Sequence, residues 1–393
     1  MAQIAGCKRV VHNKALFLQN ERLRKGDKLL SYEDSCKLLT QWRHSEVTHF
    51  LADAPTHPLQ QALKDLDRAF KNFLAGRAKY PRFKKKGRSD SFRYPDPKQF
   101  KIDSANSRIF LPKIGWRRFR KSREIEGRAK QVTVSKSGDD WFVSIQTEQE
   151  VDIPEPQSNS AVGMDLGVKT FATLSDGTRY SPEISFSKFE KRIAREQRNL
   201  ARKKKFSRKW TQQVTKIQNL YRRVFNKRLD FQHKTSTFIC KNHAFVIVED
   251  LNVKSMSASA SGTVENPGKN VKAKSGLNRS ILRQGWSSFV TQLKYKVESA
   301  GGFFMAVPAH NTSNKCSKCG FISKDNRTSQ AKFVCIQCNH SENADLNAAR
   351  NIHAAGLAVL ASGESYIFSA KLEPTVSTIT RKSFVQPESP CFS

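Results

Sequence analysis

The sequence is poor in acidic residues, and it contains neither long apolar runs nor internal repeats. Its 393 residues include 35 aspartates and glutamates against 69 lysines and arginines, a formal net charge of +34. An excess of this size repels itself in isolation, so a polyanionic partner is favoured. No apolar run reaches the ~18 residues expected of a membrane-spanning helix. The basic N-terminus also lacks the apolar core of a signal peptide.

Regularly spaced cysteines are also few. The chain has eight cysteines, of which four form two Cys-x-x-Cys pairs. The others show no pattern: Cys7, Cys36, Cys240 and Cys391. This usage is typical of a reducing compartment, where thiolates bind metal rather than form disulfides, so we expect a cytoplasmic protein. A membrane-surface protein is disfavoured because the positive charge is spread along the chain rather than confined to one amphipathic helix.

Apolar spacing divides the chain into segments of different character. Up to about residue 75 the apolar residues recur at helical spacing, which predicts helices. Between residues 77 and 150, short apolar segments bounded by turns indicate a small β-barrel. Further elements are predicted as follows: a strand and returning hairpin at 161–175, a basic helix at 186–237 with a break near 203–207, a strand at 245–249, a loop at 255–275, a helix at 281–300 and a strand at 303–307.

The two Cys-x-x-Cys pairs lie fifteen residues apart, which is the spacing of a zinc ribbon. Four thiolates at this spacing predict a closed, structural tetrahedral zinc site. His340 could compete as a ligand, but the cysteine set is already complete. The predicted zinc ligands are Cys316, Cys319, Cys335 and Cys338.

Three acidic residues occupy the positions that an RNase H-like core requires. Asp165 lies in the first apolar strand, before a glycine turn, and Glu249 ends a later apolar strand. Asp345 opens a helix that directly follows the predicted ribbon. Asp250 competes with Glu249, although side chains alternate along a strand and only one of the two can face the site.

These acids predict a magnesium-dependent phosphodiesterase site. Two divalent ions about 3.5–4 Å apart can hold both oxygens of an in-line displacement, and Mg²⁺ prefers hard oxygen ligands. Asp165 is the best candidate to bridge both ions, while Glu249 and Asp345 would each complete one ion's shell. Each acid taken singly is an ordinary feature, as a turn former, a solvated strand end or a partner of the helix dipole. Together, in so basic a chain, they favour catalysis.

Several stretches resemble the TnpB (OrfB-type) proteins of bacterial insertion sequences, which are compact relatives of the type V CRISPR effector nucleases. The stretches are GMDLGVKTFATLSDG, FVIVEDLNV, TSNKCSKCG through CIQC, and NADLNAARNI. The resemblance implies an α/β multidomain protein: a RuvC-like (RNase H-like) mixed sheet with an inserted zinc ribbon, an N-terminal helical segment and a wedge-type β-barrel. It also implies that Asp165, Glu249 and Asp345 are the RuvC triad.

The same resemblance implies the domain limits and the partners. The implied domains are a helical recognition segment (1–75), a wedge barrel (76–152), a nuclease core (153–315), a zinc ribbon (316–341), a last core helix (342–362) and a peripheral tail (363–393). The expected cofactors are structural zinc, two catalytic magnesium ions and a guide RNA from the element's end. The expected target is double-stranded DNA in the bacterial nucleoid, and no membrane partner is expected.

One departure from the family leaves alternatives open. Family members usually begin with a basic strand before the segment that resembles Ala5–Leu16, and that strand is missing here. We expect its absence to leave an unpaired edge in the wedge barrel. The three acids, the predicted zinc ribbon and the net charge nevertheless make an RNA-guided, Mg²⁺-dependent DNA endonuclease the leading hypothesis. The alternatives are a non-cleaving RNA-guided DNA-binding protein, a decayed copy, or a transposase that acts by strand transfer.

Overall fold

The computed structural model describes residues 1–152, 154–183, 185–308 and 311–361, together with the backbone of 381–384. Two compact units are present. One contains Met1–Val151, Glu196–Arg222 and the strand at 381–384, and the other contains the described residues of 152–195 and 223–361. Within the described ranges, no helix combines the length and the apolar character needed to cross a membrane.

The elements follow one another in chain order. The helices are α1 (Ala2–Arg24), α2 (Tyr32–His44), α3 (Thr56–Leu74), α4 (Ser185–Ala201), α5 (Arg208–Asn242), α6 (Val253–Met256), α7 (Val271–Gln284), α8 (Trp286–Ser299) and α9 (Ala344–Ala361). The strands are β1 (Ser91–Tyr94), β2 (Lys101–Asp103), β3 (Arg108–Leu111), β4 (Gly115–Arg118), β5 (Arg128–Ser137), β6 (Asp140–Gln149), β7 (Ala161–Asp165), β8 (Ala172–Leu174), β9 (Arg179–Tyr180), β10 (Phe245–Glu249), β11 (Phe303–Val307), β12 (Lys332–Val334), β13 (Ser341–Asn343) and β14 (Arg381–Phe384).

The first unit contains a helical layer and two small antiparallel sheets. Helices α1, α2 and α3 enclose an apolar core in which Leu16, Leu51 and Leu59 are fully buried. The sheet orders are β1-β5-β6-β14 and β2-β3-β4. Both sheets contribute to one core, since Phe92 of β1 and Ile109 of β3 belong to the same buried cluster. The predicted helices and strands of this region are therefore present, although β4 was not anticipated.

The second unit is built on a mixed sheet with the order β11-β10-β7-β8-β9. Strands β7, β10 and β11 are parallel, whereas β8 and β9 run antiparallel to their neighbours. Because side chains alternate along a strand, the two faces of the sheet have different partners. Val162 and Met164 belong to a cluster that includes Phe289 of α8. On the other face, Ile247 packs with Ile352 of α9.

Gly163 allows α9 to lie directly on β7. A Cβ atom at this position would overlap the carbonyl oxygen of Ala349 and the backbone nitrogen of His353, both in α9. These are backbone atoms of a packed helix and cannot move aside as the end of a flexible side chain can. Gly163, two residues before Asp165, is therefore required because the backbone of α9 approaches β7 too closely for any side chain.

We expect Gly163→Ala to lower the free energy of unfolding by about 1–3 kcal/mol, the usual cost of overpacking a core. Urea unfolding followed by tryptophan fluorescence would measure this, because Trp286 is buried in the adjoining core. Gly276→Ala is the matched control: Gly276 lies in α7, and a Cβ atom there meets nothing within 4 Å. That control should be neutral or slightly stabilising. Equal stability of the two variants would contradict the packing argument.

Two helices begin or end differently from the sequence prediction. The helix predicted at 281–300 is two helices, because Gly285 between α7 and α8 adopts a left-handed conformation with φ of 69°. Helix α7 begins at Val271, inside the stretch predicted as a loop. Its polar, lysine-rich composition hid the periodicity of an exposed helix. The break predicted in the long basic helix is confirmed between α4 and α5. Most of the predicted tail lies outside the described residues.

Candidate active site

Parallel pairing brings Asp165 and Glu249 to the same edge of the mixed sheet. Ile247 of β10 pairs with Gly163 of β7, and Val248 pairs with Met164. Continuing this register places Glu249 level with Asp165 at the carboxyl ends of the two strands. Alternation places Asp165 on the face of Gly163 and Glu249 on the face of Ile247, and α9 covers that face.

Helix α9 supplies the third acid from its first turn. The Asn343 side chain accepts hydrogen bonds from the backbone N–H groups of Asp345 (3.1 Å) and Leu346 (3.3 Å), which caps the helix. This cap fixes where the helix starts relative to β7. Asp345, Asp165 and Glu249 consequently line one pocket of roughly 280 Å³.

Asp250 is not among the residues that line this pocket. Its backbone N–H donates instead to the carbonyl oxygen of Val307 at 2.8 Å, which extends the pairing of β10 with β11 by one residue. The alternation of strand side chains thus separates Asp250 from its neighbour Glu249. Of the two competing acids, the structure brings only Glu249 to the pocket.

The acids interact electrostatically. The pKa of Asp165 is raised to about 7, first by burial and then by the charges of Glu249 and Asp345, while Arg327 and a hydrogen bond from the Leu166 N–H act in the opposite direction. Such crowding of carboxylates disfavours their charged form in the absence of a cation. Hard oxygen donors in a polar pocket fit a divalent ion such as Mg²⁺.

Glu249 is held by a partner that the sequence analysis did not identify. The Thr312 hydroxyl donates to Glu249 Oε1 at 2.7 Å. The carbonyl oxygen of Thr312 accepts in turn from Asn351 Nδ2 of α9 at 2.8 Å. Helix α9 therefore supplies one acid directly and orients a second through Thr312. Thr312 begins one of the stretches that carry the family resemblance, but no local sequence pattern predicts its contact with Glu249.

Arg327 also lines the acidic pocket and was not predicted. It lies between the two cysteine pairs, so the predicted ribbon contributes a cation to the acids as well as its four thiols. Its Nη2 donates to the carbonyl oxygen of Gln330 at 3.1 Å, which restrains the side chain. Lys169 is a second cation in the lining. An arginine in a long insertion carries no sequence signal that separates it from a solvated surface residue.

The four predicted cysteines converge. Their sulfur atoms all lie within 4.8 Å of one another. Cys316 Sγ and Cys338 Sγ are 3.7 Å apart, and Cys319 Sγ and Cys335 Sγ are 3.5 Å apart. Four sulfurs bound tetrahedrally to zinc at ~2.3 Å would lie roughly 3.8 Å from one another, so the cluster could hold zinc. Within the described residues the three acids form no equally tight group.

The cysteine cluster is joined to α9 by hydrogen bonds from two buried asparagines. Asn347 Nδ2 and Asn351 Nδ2 both donate to the carbonyl oxygen of Lys315, at 2.8 and 2.7 Å. Asn347 Oδ1 accepts from the Ser317 N–H at 2.9 Å. These contacts tie the residues on either side of Cys316 to the helix that carries Asp345. The cysteine cluster and the acidic pocket therefore share one support.

Two family models match the chain. The OrfB_IS605 model, described as "Probable transposase", matches residues 144–260. The Cas12f1-like, TNB domain model matches residues 286–352. The first match contains Asp165 and Glu249, and the second contains the four cysteines and Asp345. The two matches therefore include all the predicted residues that the structure gathers at the pocket and the cysteine cluster.

Individual relatives extend over most of the chain. A protein of Escherichia coli (strain K12) named "Putative RNA-guided DNA endonuclease InsQ" is 52% identical over 364 residues, which cover 93% of this chain and 90% of that protein. A Streptomyces pristinaespiralis protein named "Putative RNA-guided DNA endonuclease" is 32% identical over 374 residues, covering 93% and 87%.

A solved structure shares the fold. The cryo-EM structure of a Cas12f1–sgRNA–target DNA complex matches with a TM-score of 0.53 at 16% identity, and the match covers 90% of this chain and 81% of that one. This likeness supports the α/β architecture with its mixed sheet. The identity and coverage of the E. coli relative carry the family assignment. The chain belongs to the TnpB (OrfB-type) family of insertion-sequence proteins.

Proposed function

We propose that this protein is an RNA-guided, Mg²⁺-dependent DNA endonuclease that hydrolyses phosphodiester bonds of target DNA. The observation that carries the proposal is the convergence of Asp165, Glu249 and Asp345 in one pocket of a chain with a net charge of +34. A basic surface attracts two polyanions, a guide RNA and a DNA duplex. A cluster of acids would repel both, so its presence in this chain favours a role in binding catalytic metal ions. The relatives named as RNA-guided endonucleases support the same activity.

The three acids have distinct tasks in this proposal. The charges of Glu249 and Asp345 both raise the pKa of Asp165, so Asp165 interacts with each of the other two acids. We therefore assign Asp165 as the ligand that would be shared by two magnesium ions. Glu249, oriented by Thr312, and Asp345, oriented by the cap of α9, each complete one ion's ligands. Bound magnesium would activate water and stabilise the leaving oxygen.

The architecture is assigned on the same basis. We infer that the mixed sheet with α9 is an RNase H-like (RuvC) core, because parallel and antiparallel strands bring acids to one edge beneath a helix. The two antiparallel sheets of the first unit would form the wedge-type barrel, with α1–α3 as the recognition segment. The cysteine cluster would hold structural zinc. We place the protein in the bacterial cytoplasm at the nucleoid, where its target DNA lies.

Co-purification with the transcript of the flanking element DNA tests the guided class. We expect a discrete RNA to remain bound and to direct cleavage of a plasmid that carries the matching sequence, in added Mg²⁺ but not without it. A plasmid with a scrambled target is the control. Binding without cleavage would support the non-cleaving alternative. Joined products in the absence of RNA would support strand transfer, a chemistry consistent with the transposase description of the matching family.

Arg327 is expected to contribute to cleavage through its charge. Replacement by alanine removes a cation from the pocket where negative charge develops, and we expect cleavage to slow by about 10- to 100-fold. Arg327→Lys should recover part of that loss. Lys324→Ala is the matched control, because Lys324 is an exposed residue of the same insertion and does not line the pocket. Similar rates for the two alanine variants would remove Arg327 from the proposal.

A further inference from the structure

The turn between α4 and α5 concentrates positive charge. No acid occurs between Gln197 and Thr215. In the part of the chain that the structure describes, none of the cations of this turn forms an ion pair with an acid. We refer to residues 198–210 as the hairpin tip. Its cations are Arg198, Arg202, Lys203, Lys204, Lys205, Arg208 and Lys209, and all but Lys203 are exposed.

Two aromatic rings lie among these cations. The Phe206 side chain is 84% exposed. Its ring centroid is 5.5 Å from that of Trp210, at an interplanar angle of 54°. A phenylalanine this exposed contributes little to a core, while the ring of Trp210 is half-buried. The pair instead presents aromatic surface within a field of positive charge.

The backbone of Phe206 adds an independent observation. Its φ is 66°, in the left-handed region that disfavours residues with a bulky side chain. Folding alone would favour glycine or asparagine at this position. An exposed aromatic ring in a strained conformation therefore lowers stability without burying apolar surface. Residues of this kind commonly occur where the ring serves a ligand.

The tip is held firmly by its own helices. The Ser207 hydroxyl accepts from the Trp210 N–H at 3.1 Å and caps α5. One turn further along, Gln213 Nε2 donates to Oε2 of the buried Glu196 at 2.8 Å, and Lys216 Nζ lies 3.0 Å from Glu196 Oε1. This buried contact locks α4 to α5 just behind the turn, so the aromatic pair has a fixed base.

We propose that the hairpin tip is a binding site for single-stranded nucleic acid, in which an unpaired base stacks on Phe206 and Trp210 while flanking phosphates contact the surrounding lysines and arginines. Exposed aromatic faces within a basic groove are the recurring means by which proteins hold unpaired strands. No residue of the hairpin tip is among those that line the acidic pocket. Only the choice of ligand rests on the proposed function, because a guided nuclease must hold unpaired RNA or displaced DNA.

The test is equilibrium binding of fluorescent single strands to the full chain. Oligo(U) and oligo(dT) of equal length would be titrated without added Mg²⁺, where no cleavage is expected, so the result does not depend on nuclease activity. We expect Phe206→Ala to weaken binding by about five- to tenfold and the double variant with Trp210→Ala by up to about 100-fold. Preference for one oligonucleotide identifies the source as RNA or DNA.

Three comparisons make the result specific. Phe238→Ala removes an aromatic ring that is 59% exposed elsewhere on α5 and should bind as the unchanged protein does. Phe206→Asn removes the ring while tolerating the left-handed backbone, so it should keep or raise the thermal midpoint yet bind as weakly as Phe206→Ala. An oligonucleotide with abasic sites has no base to stack, so the unchanged protein and the Phe206 variants should bind it with equal affinity. Unchanged affinity of the Phe206 and Trp210 variants, or equal loss in Phe238→Ala, would overturn the proposal.

Discussion

Asp165→Asn is expected to abolish cleavage and to make the metal-free protein more stable. Cleavage should fall by at least about 1,000-fold, because the ligand assigned to both ions supplies several kcal/mol of charge stabilisation. Stability should rise because a neutral amide removes the cost of burying the Asp165 charge and, in addition, its repulsion by Glu249 and Asp345. Opposite effects on activity and stability would indicate a site arranged for function rather than for folding.

The gain in stability should depend on pH. The pKa of Asp165 is about 7 in the folded chain, against 3.8 for an ordinary aspartate. Below about pH 4 the carboxyl is protonated in both states, so the substitution changes little. Between these values the unfolded chain loses its proton first, and the unchanged protein loses stability as pH rises. Above pH 7 the difference should level off at a few kcal/mol, on the order of 3 kcal/mol.

Thermal melts of both proteins from pH 4 to 8, without added Mg²⁺ and without a chelator, would measure this difference, and plasmid cleavage in Mg²⁺ would measure the activity. Asp250→Asn is the matched control, because it changes an adjacent acid that does not line the pocket. That variant should keep both cleavage and the pH profile. Retained cleavage in Asp165→Asn would refute the proposed catalytic role, whereas a flat pH difference would refute only the argument that burial and neighbouring acids raise the pKa of Asp165.

Cys335→Ser is expected to have the second largest effect, through the position of Asp345. Among the residues that the structure describes, the apolar core around the cysteines consists of Cys316, Phe333, Cys335 and Ala344, with Cys338 at its margin. A core this small does not fold stably without a metal. Its collapse would release the segment that Asn347 and Asn351 hold against α9. A displacement of about 1 Å at a catalytic group can cost roughly 100-fold in rate, and we expect a loss of at least that size.

Metal content, melting and cleavage together would separate the possible outcomes. The unchanged protein should contain one zinc per chain, and Cys335→Ser should contain less, melt at a lower temperature and cleave poorly. Cys36→Ser changes a cysteine of α2 outside the cluster and should behave as the unchanged protein does. If Cys335→Ser kept its zinc, its melting temperature and its cleavage rate, the structural role of the cluster would be wrong.

Much of the local structure could be predicted from the sequence. The strands at β7, β10 and β11 are short apolar runs, and the four cysteines have a spacing that is specific to zinc ribbons. The break in the basic helix was also predicted correctly. The division of residues 271–300 into α7 and α8 was missed, because apolar residues continue on both sides of Gly285 and suggest one helix.

Long-range contacts account for what the sequence could not supply. The sequence alone identified Asp165, Glu249 and Asp345 as candidate site residues, from their positions at strand ends and at the start of a helix. It also identified the four thiols of the predicted zinc site and the basic character of the chain. Only the tertiary structure decided that Glu249 rather than Asp250 enters the pocket, and that Thr312 and Arg327 join it. The physical reason is that strand register, helix caps and close packing at Gly163 bring together residues far apart in the chain, and no local pattern encodes such distances.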